Sequence, residues 1–174
     1  MGFDISGKNP KINVSEKSFV ILTKYKMDNY DSWDDWCNAM KEDDVEEKYW
    51  EEYESYQDAN PGIYFRNNVW WWRPLWDYVC DHCDCLEEKD YSKGWYNDGS
   101  FINKAKSKQI ASTLRRLIKE NHTSDYELAY EEFRKNKAES DDKEDSFKSN
   151  YPFCVENVRR FAKFCEESGG FYIC

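Results

Sequence analysis

The chain of 174 residues sets 25 Lys and Arg against 35 Asp and Glu, a formal charge of −10. That balance argues against a general nucleic-acid binder, which needs clustered basic side chains to displace counterions. Leu, Ile, Val and Phe number only 31, a poverty that would read as disorder were there not 8 Trp and 13 Tyr as well. Each such ring can bury about 150–250 Å², so one folded domain with an aromatic core is expected.

Met1-Gly2-Phe3-Asp4-Ile5-Ser6 fits the loose pattern for N-myristoylation, but a buried first strand explains the same residues more simply. The N-terminus lacks a signal-peptide core, and no run approaches the roughly 18 apolar residues of a membrane span. Seven cysteines, an odd number without secretory context, are expected as reduced thiols in a cytoplasmic protein.

Residues 28–58 hold thirteen acids against Lys41 and Lys48, so this segment carries −11 and the rest of the chain sums to +1. Trp33, Trp36, Cys37 and Met40 recur at helical spacing, Tyr49, Tyr53 and Tyr56 repeat it, and Asn60-Pro61-Gly62 ends it. An acidic helical insertion at about 28–58 is expected, docked by its aromatic stripe with a solvated outer face. The sharper alternative is a nucleic-acid mimic that occupies a basic groove on another protein.

Residues 61–75 contain no acid, two arginines, two asparagines and five aromatics. Arg66 and Arg73 can grip a phosphate or carboxylate through a planar fork. Asn67 and Asn68 can read polar edges, and Trp faces can stack on a ring. This is the best small-molecule site in the sequence. Against it, Pro74 suits the first turn of a helix whose buried stripe would be Leu75, Trp76, Val79 and Cys83, and the arginines could pair with the acidic insert.

Cys80-Asp81-His82-Cys83-Asp84-Cys85 is the one dense cluster with metal-ligand chemistry. A second half-site is missing, and positions 80 and 83 share a helix face that 82 and 85 do not. Cys80, Cys83 and Cys85 are therefore weak metal candidates beside a structural role. Asn97-Asp98-Gly99 predicts a tight turn. Ile110, Leu114, Leu117 and Ile118 mark a helix over about 103–120, and a second from Ser124 would turn Tyr126, Ala129, Tyr130 and Phe133 inward. His122 reads as a helix-end residue placed where a cation is favourable. Residues 139–145 read as a charged loop. Pro152 opens a last helix with Val155, Val158, Phe161, Ala162 and Cys165 on one side, capped by Gly169-Gly170. Phe171–Cys174 reads as a final strand, paired with Gly2–Ile5 or with Ser18–Leu22. The fold expected is α+β, a mainly α-helical single domain, residues 1–174, with a small antiparallel sheet joining the termini.

No Walker loop, GxSxG, HExxH or GxGxxG occurs, so neither an enzyme nor a cofactor is expected. A catalytic dyad needs a base beside a nucleophile, and the spacing of His82 and His122 suggests none.

Several motifs together resemble a widespread group of small phage-encoded proteins. They are Met1-Gly2-Phe3-Asp4 with Gly7-Lys8-Asn9-Pro10, the run from Tyr64-Phe65-Arg66-Asn67-Asn68 through Trp76, Asn97-Asp98-Gly99, Tyr151-Pro152-Phe153 with Val155–Val158, and Glu167-Ser168-Gly169-Gly170-Phe171. The likeness covers about two thirds of the chain and is specific at the middle motif. In that group only a short spacer separates the first two motifs, so residues 11–60 look like an insertion. The cysteine cluster is not a group feature.

The resemblance implies a protein that disarms host defence in the cytoplasm of an infected bacterium, for instance by sequestering a cyclic or ADP-ribose-derived nucleotide signal. Arg66 and Arg73 would then hold phosphate, Trp70, Trp72 or Trp76 would stack, and Asn67, Asn68, Asn97 and Lys8 would read polar edges. The partner expected is this small ligand or, through residues 28–58, a host defence protein. Homo-oligomerisation stays open.

Overall fold

The computed structural model describes residues 2–138 and 149–174. Met1 and the charged stretch 139–145 lie outside the described residues. The fold is α+β and mainly helical, with a four-stranded antiparallel sheet in the order β2-β1-β4-β3 that contains the first and last strands. By internal contacts the chain divides into two compact units, residues 1–11 with 62–174, and residues 12–61.

The larger unit starts with β1 (Gly2–Gly7), whose alternation sends Phe3 and Ile5 into the core and Asp4 and Ser6 outward. β2 (Tyr64–Asn68) pairs antiparallel with it, setting Arg66 opposite Asp4 and Asn68 opposite Gly2. β4 (Phe171–Ile173) takes the other side, so the final strand has chosen the N-terminal partner. Residues 18–22 instead lead into a short helix in the other unit.

Asn68 caps α4 (Val69–His82), its Oδ1 accepting from the Trp71 N–H at 3.1 Å. The helix thus starts five residues before Pro74, not at it. This shift puts Trp72, Leu75, Trp76, Tyr78 and Val79 in the core. After α5 (Glu88–Tyr91) and a 3-10 turn at Ser92–Gly94, the Asn97-Asp98-Gly99 turn leads into β3 (Ser100–Ile102). Asp98 Oδ1 accepts from the Ser100 N–H and hydroxyl, and Gly99 takes φ +78. Asn103 caps α6 (Lys104–Lys119), which buries Ile110, Leu114 and Leu117.

α7 (His122–Ala138) starts earlier than its apolar spacing indicates. Tyr126 and Tyr130 pack on the core, but Ala129 and Phe133 face outward. His122 stands at the start of α7, the end of a helix that disfavours a cation. α8 (Val155–Glu167) leaves Pro152 outside and buries Val158, Phe161, Ala162 and Cys165. Its chain turns back through Gly169 and Gly170 at φ +66 and +95, where a side chain would strain the backbone. Ser107 on α6 ties this end down, its hydroxyl donating 2.6 Å to the Cys165 carbonyl.

In the smaller unit, α1 (Val20–Lys24), α2 (Trp33–Glu42) and α3 (Glu46–Ala59) enclose a second core of Leu22, Tyr25, Trp36, Met40 and Tyr49. Trp33, expected on the buried stripe, is 56 % exposed, while Trp36 behind it donates its Nε1–H to the Tyr25 carbonyl at 2.7 Å. Glu52 of α3 accepts from the Ile21 and Leu22 N–H groups at 2.8 and 2.9 Å. The acidic segment 28–58 lies within this unit. Among the described residues no helix is long and apolar enough to cross a membrane.

Candidate functional site

Once α4 begins at Val69, its sequence sorts into two faces. Trp72 and Trp76, one turn apart, point inward, while Trp70 and Arg73, three apart, point outward. The outward pair meets Tyr151: the rings of Trp70 and Tyr151 lie 4.8 Å apart, and Arg73 Nη1 donates to the Tyr151 hydroxyl at 3.3 Å. On its other side the Arg73 guanidinium lies 5.1 Å from the centre of the Trp95 ring. Its Nε is buried without a hydrogen-bond partner. The charge therefore rests among rings and one hydroxyl, with no carboxylate at ion-pair distance among the described residues.

Beside Arg73 opens a cleft of about 480 Å³ lined by Arg73, Glu88, Tyr91, Ser92, Trp95 and Tyr96. This lies within the common size range of ligand pockets. Its far wall is the segment running from α5 through the 3-10 turn. Tyr91, Trp95 and Tyr96 are 39, 42 and 64 % exposed there, an unusual concentration of open aromatic surface.

The core holds that wall from behind. Trp72 Nε1 donates to the Gly94 carbonyl at 2.6 Å, and Trp76 Nε1 donates to the Tyr91 carbonyl at 2.9 Å. Asp90, fully buried, accepts from Lys93 at 2.6 Å, from the Glu87 N–H at 3.0 Å and from Lys106 of α6. Burial alone would raise this carboxyl, but the bonds from Lys106, Lys93 and the Glu87 N–H outweigh it and bring it to about 2. Along α4, Asp77 reaches solvent, yet crowding by surrounding atoms and the Asp81 charge push its carboxyl up to about 6 while Arg73 pulls it down.

The residues expected at the site divide accordingly. Trp72 and Trp76 are 0 and 1 % exposed and stack on each other with ring centres 5.5 Å apart, so neither can stack on a ligand. Asn67 points inward and donates to Asn157 Oδ1 at 3.0 Å. Arg66, Asn68 and Asn97 gather at the start of β1: Arg66 pairs with Asp4 at 3.5 Å, Asn68 lies opposite Gly2, and Asn97 donates to the Gly2 carbonyl at 2.7 Å. Lys8, at the other end of that strand, covers Phe101 at 4.6 Å. The strand length of about 20 Å separates it from that group.

Glu88, Tyr91, Ser92, Trp95 and Tyr96 had no signal of their own in the sequence, because a four-residue helix and a 3-10 turn are too short to show a hydrophobic period. The only hint was three aromatics within residues 91–96, just before a turn motif.

Burial drives the Cys80 and Cys83 thiols up to about 12, so they resist forming the thiolate a metal needs. Cys85 is raised as well, again mainly by burial. Among the described residues no group of three or more His, Cys, Asp or Glu is placed to hold a metal ion.

No protein-family model matches the chain, and no significant match is found among curated proteins or solved structures.

Proposed function

We propose that this is a phage-encoded immune-evasion protein that binds a small nucleotide-like defence signal, cyclic or derived from ADP-ribose, and holds it intact in the cytoplasm of the infected bacterium. The observation that carries the reading is Arg73, whose guanidinium is partly desolvated between Trp95 and Tyr151 and, among the described residues, forms no direct ion pair. A partly desolvated cation without a direct ion-pair partner is costly, and an anionic ligand entering the adjacent cleft relieves that cost. The open rings of Tyr91, Trp95 and Tyr96 offer stacking surface for a base in the same cleft.

The test is to incubate the purified protein with a panel of cyclic and ADP-ribose-derived nucleotides, filter, heat, and identify what is released. A nucleotide removed from the filtrate and recovered intact is the expected result. Recovery as a product would make the protein an enzyme, and no retention would end the small-molecule reading.

A second reading rests on residues 12–61. There Trp33 and Trp50 are 56 and 39 % exposed amid the acidic side chains of a unit with its own core. Such a surface suits a basic groove on a host defence protein. Capture of such a protein that resists salt and survives Trp33→Ala with Trp50→Ala would remove this reading.

A further inference from the structure

Resting on the proposed nucleotide site, we infer that the Arg73 cleft selects a guanine base carrying a singly charged phosphate, and that Glu88 is the residue that reads the base. Glu88, Tyr91 and Ser92 stand at i, i+3 and i+4, so α5 and its continuation present them on one face, and all three line the cleft. The neighbouring charges are engaged elsewhere. Glu87 pairs with Lys89 at 2.5 Å and with Lys106 at 3.1 Å, and Lys93 is tied to the buried Asp90 and to the Phe101 carbonyl. The Glu88 carboxylate makes no hydrogen bond or ion pair among the described residues, although it shares the cleft with the cation of Arg73.

An ionised carboxylate only accepts. Its best complement on a base is two adjacent donors, which guanine supplies at N1–H and its exocyclic amine. Adenine sets a lone pair at N1 beside its amine, and a carboxylate there meets that lone pair. A carboxylate at the rim of an aromatic surface is placed to read a stacked ring by its Watson–Crick edge. The charge count sets the rest of the ligand. Arg73 is the one cation of the lining, the nearby lysines are committed, and Glu88 already carries a negative charge there, so the cleft takes a singly charged phosphate with less repulsion than the several charges of a triphosphate.

Titration calorimetry of the intact protein with cyclic GMP, cyclic AMP and GTP tests this, alongside the Glu88→Gln variant. Glu88 is exposed, so the substitution leaves the fold alone. Cyclic GMP should bind at least about tenfold tighter than cyclic AMP, the discrimination a bidentate base contact gives. It should also bind tighter than GTP. Glu88→Gln should abolish the guanine preference without abolishing cyclic AMP binding.

Equal binding of the two cyclic nucleotides, or a preference that survives Glu88→Gln, overturns the role of Glu88 while nucleotide binding stands. Tighter binding of GTP overturns the single-charge selection. A vicinal ribose diol also presents two donors. ADP-ribose bound more tightly than cyclic GMP, with that advantage lost in Glu88→Gln, would therefore overturn the base assignment. If no nucleotide in the wider panel is retained, the proposed function falls and takes this inference with it.

Discussion

The guanidinium of Arg73 and the indole of Trp95 lie 5.1 Å apart, joining the outer face of α4 to the aromatic segment that follows α5. Arg73→Ala removes the one cation of the cleft and should weaken the captured nucleotide by about 1.5–3 kcal/mol, the usual worth of a charged hydrogen bond. Because the Arg73 Nε is buried without a partner, the same change should cost little fold stability. Calorimetry for affinity and thermal unfolding for stability check both parts. Arg66→Ala should weaken binding less, since Arg66 is already paired with Asp4 and largely exposed.

Asp90 should be the electrostatic anchor of the cleft wall. Asp90→Asn removes the buried negative charge and turns one of its two acceptor oxygens into a donating amide that faces a lysine, and should destabilise the protein by about 3 kcal/mol, read as a lower midpoint in denaturant. The pH dependence has a defined sign. The folded carboxyl sits near 2 against an ordinary 3.8, so its contribution is complete above pH 3.8 and is lost as pH falls toward 2. The wild type should therefore lose stability across that window more steeply than Asp90→Asn does.

The legible parts of this fold were those with a period. Trp36 and Met40, Ile110 and Leu114, and Phe161 and Cys165 each repeat at helical spacing and mark α2, α6 and α8. The three tryptophans at 70–72 illustrate what a period cannot do alone. Successive helical residues are about 100° apart, so which ring enters the core depends on where the helix starts. With the start at Pro74 the three rings fall outside the helix, free to stack. With Asn68 as the cap, Trp72 is inward and Arg73 outward. The site was half legible for the same reason. Arg73 carried a chemical signal of its own, whereas Trp95 and Tyr96 acquire theirs only through Trp72 and Trp76 holding the backbone behind them.

Gly94 should tolerate no side chain. A methyl group there would overlap the Trp76 ring, which is itself held by Trp72 and by the Tyr91 carbonyl and cannot withdraw. Gly94→Ala should cost about 1–3 kcal/mol, as overpacking of a close-packed core does. It should also loosen the cleft wall, so that nucleotide affinity falls together with the melting temperature. Near-ultraviolet circular dichroism should report the disturbed tryptophan pair.

The smaller unit is closed on itself by one side chain. Asn60 is fully buried, accepts at Oδ1 from the Asn13 and Val14 N–H groups at 2.7 and 3.0 Å, and donates from Nδ2 to the Val14 and Tyr56 carbonyls at 3.0 and 2.9 Å. Two strands of chain that enter and leave residues 12–61 are thus fastened by an amide using both its ends. Asn60→Asp keeps the acceptor but exchanges the donating end for a second acceptor, setting a buried carboxylate against two carbonyl oxygens. Asn60→Leu leaves two N–H groups and a carbonyl unpaired, a loss of about 1–3 kcal/mol for each group that stays dry. Both variants should raise hydrogen exchange at Asn13 and Val14 before it rises at the sheet, because those N–H groups have Asn60 as their acceptor and β1 has β2 and β4. Exchange rising equally in the sheet would show that the two units unfold together and that Asn60 stabilises the whole chain. A selective rise leaves Arg73 and Trp95 undisturbed, and nucleotide capture should then persist while residues 12–61 open.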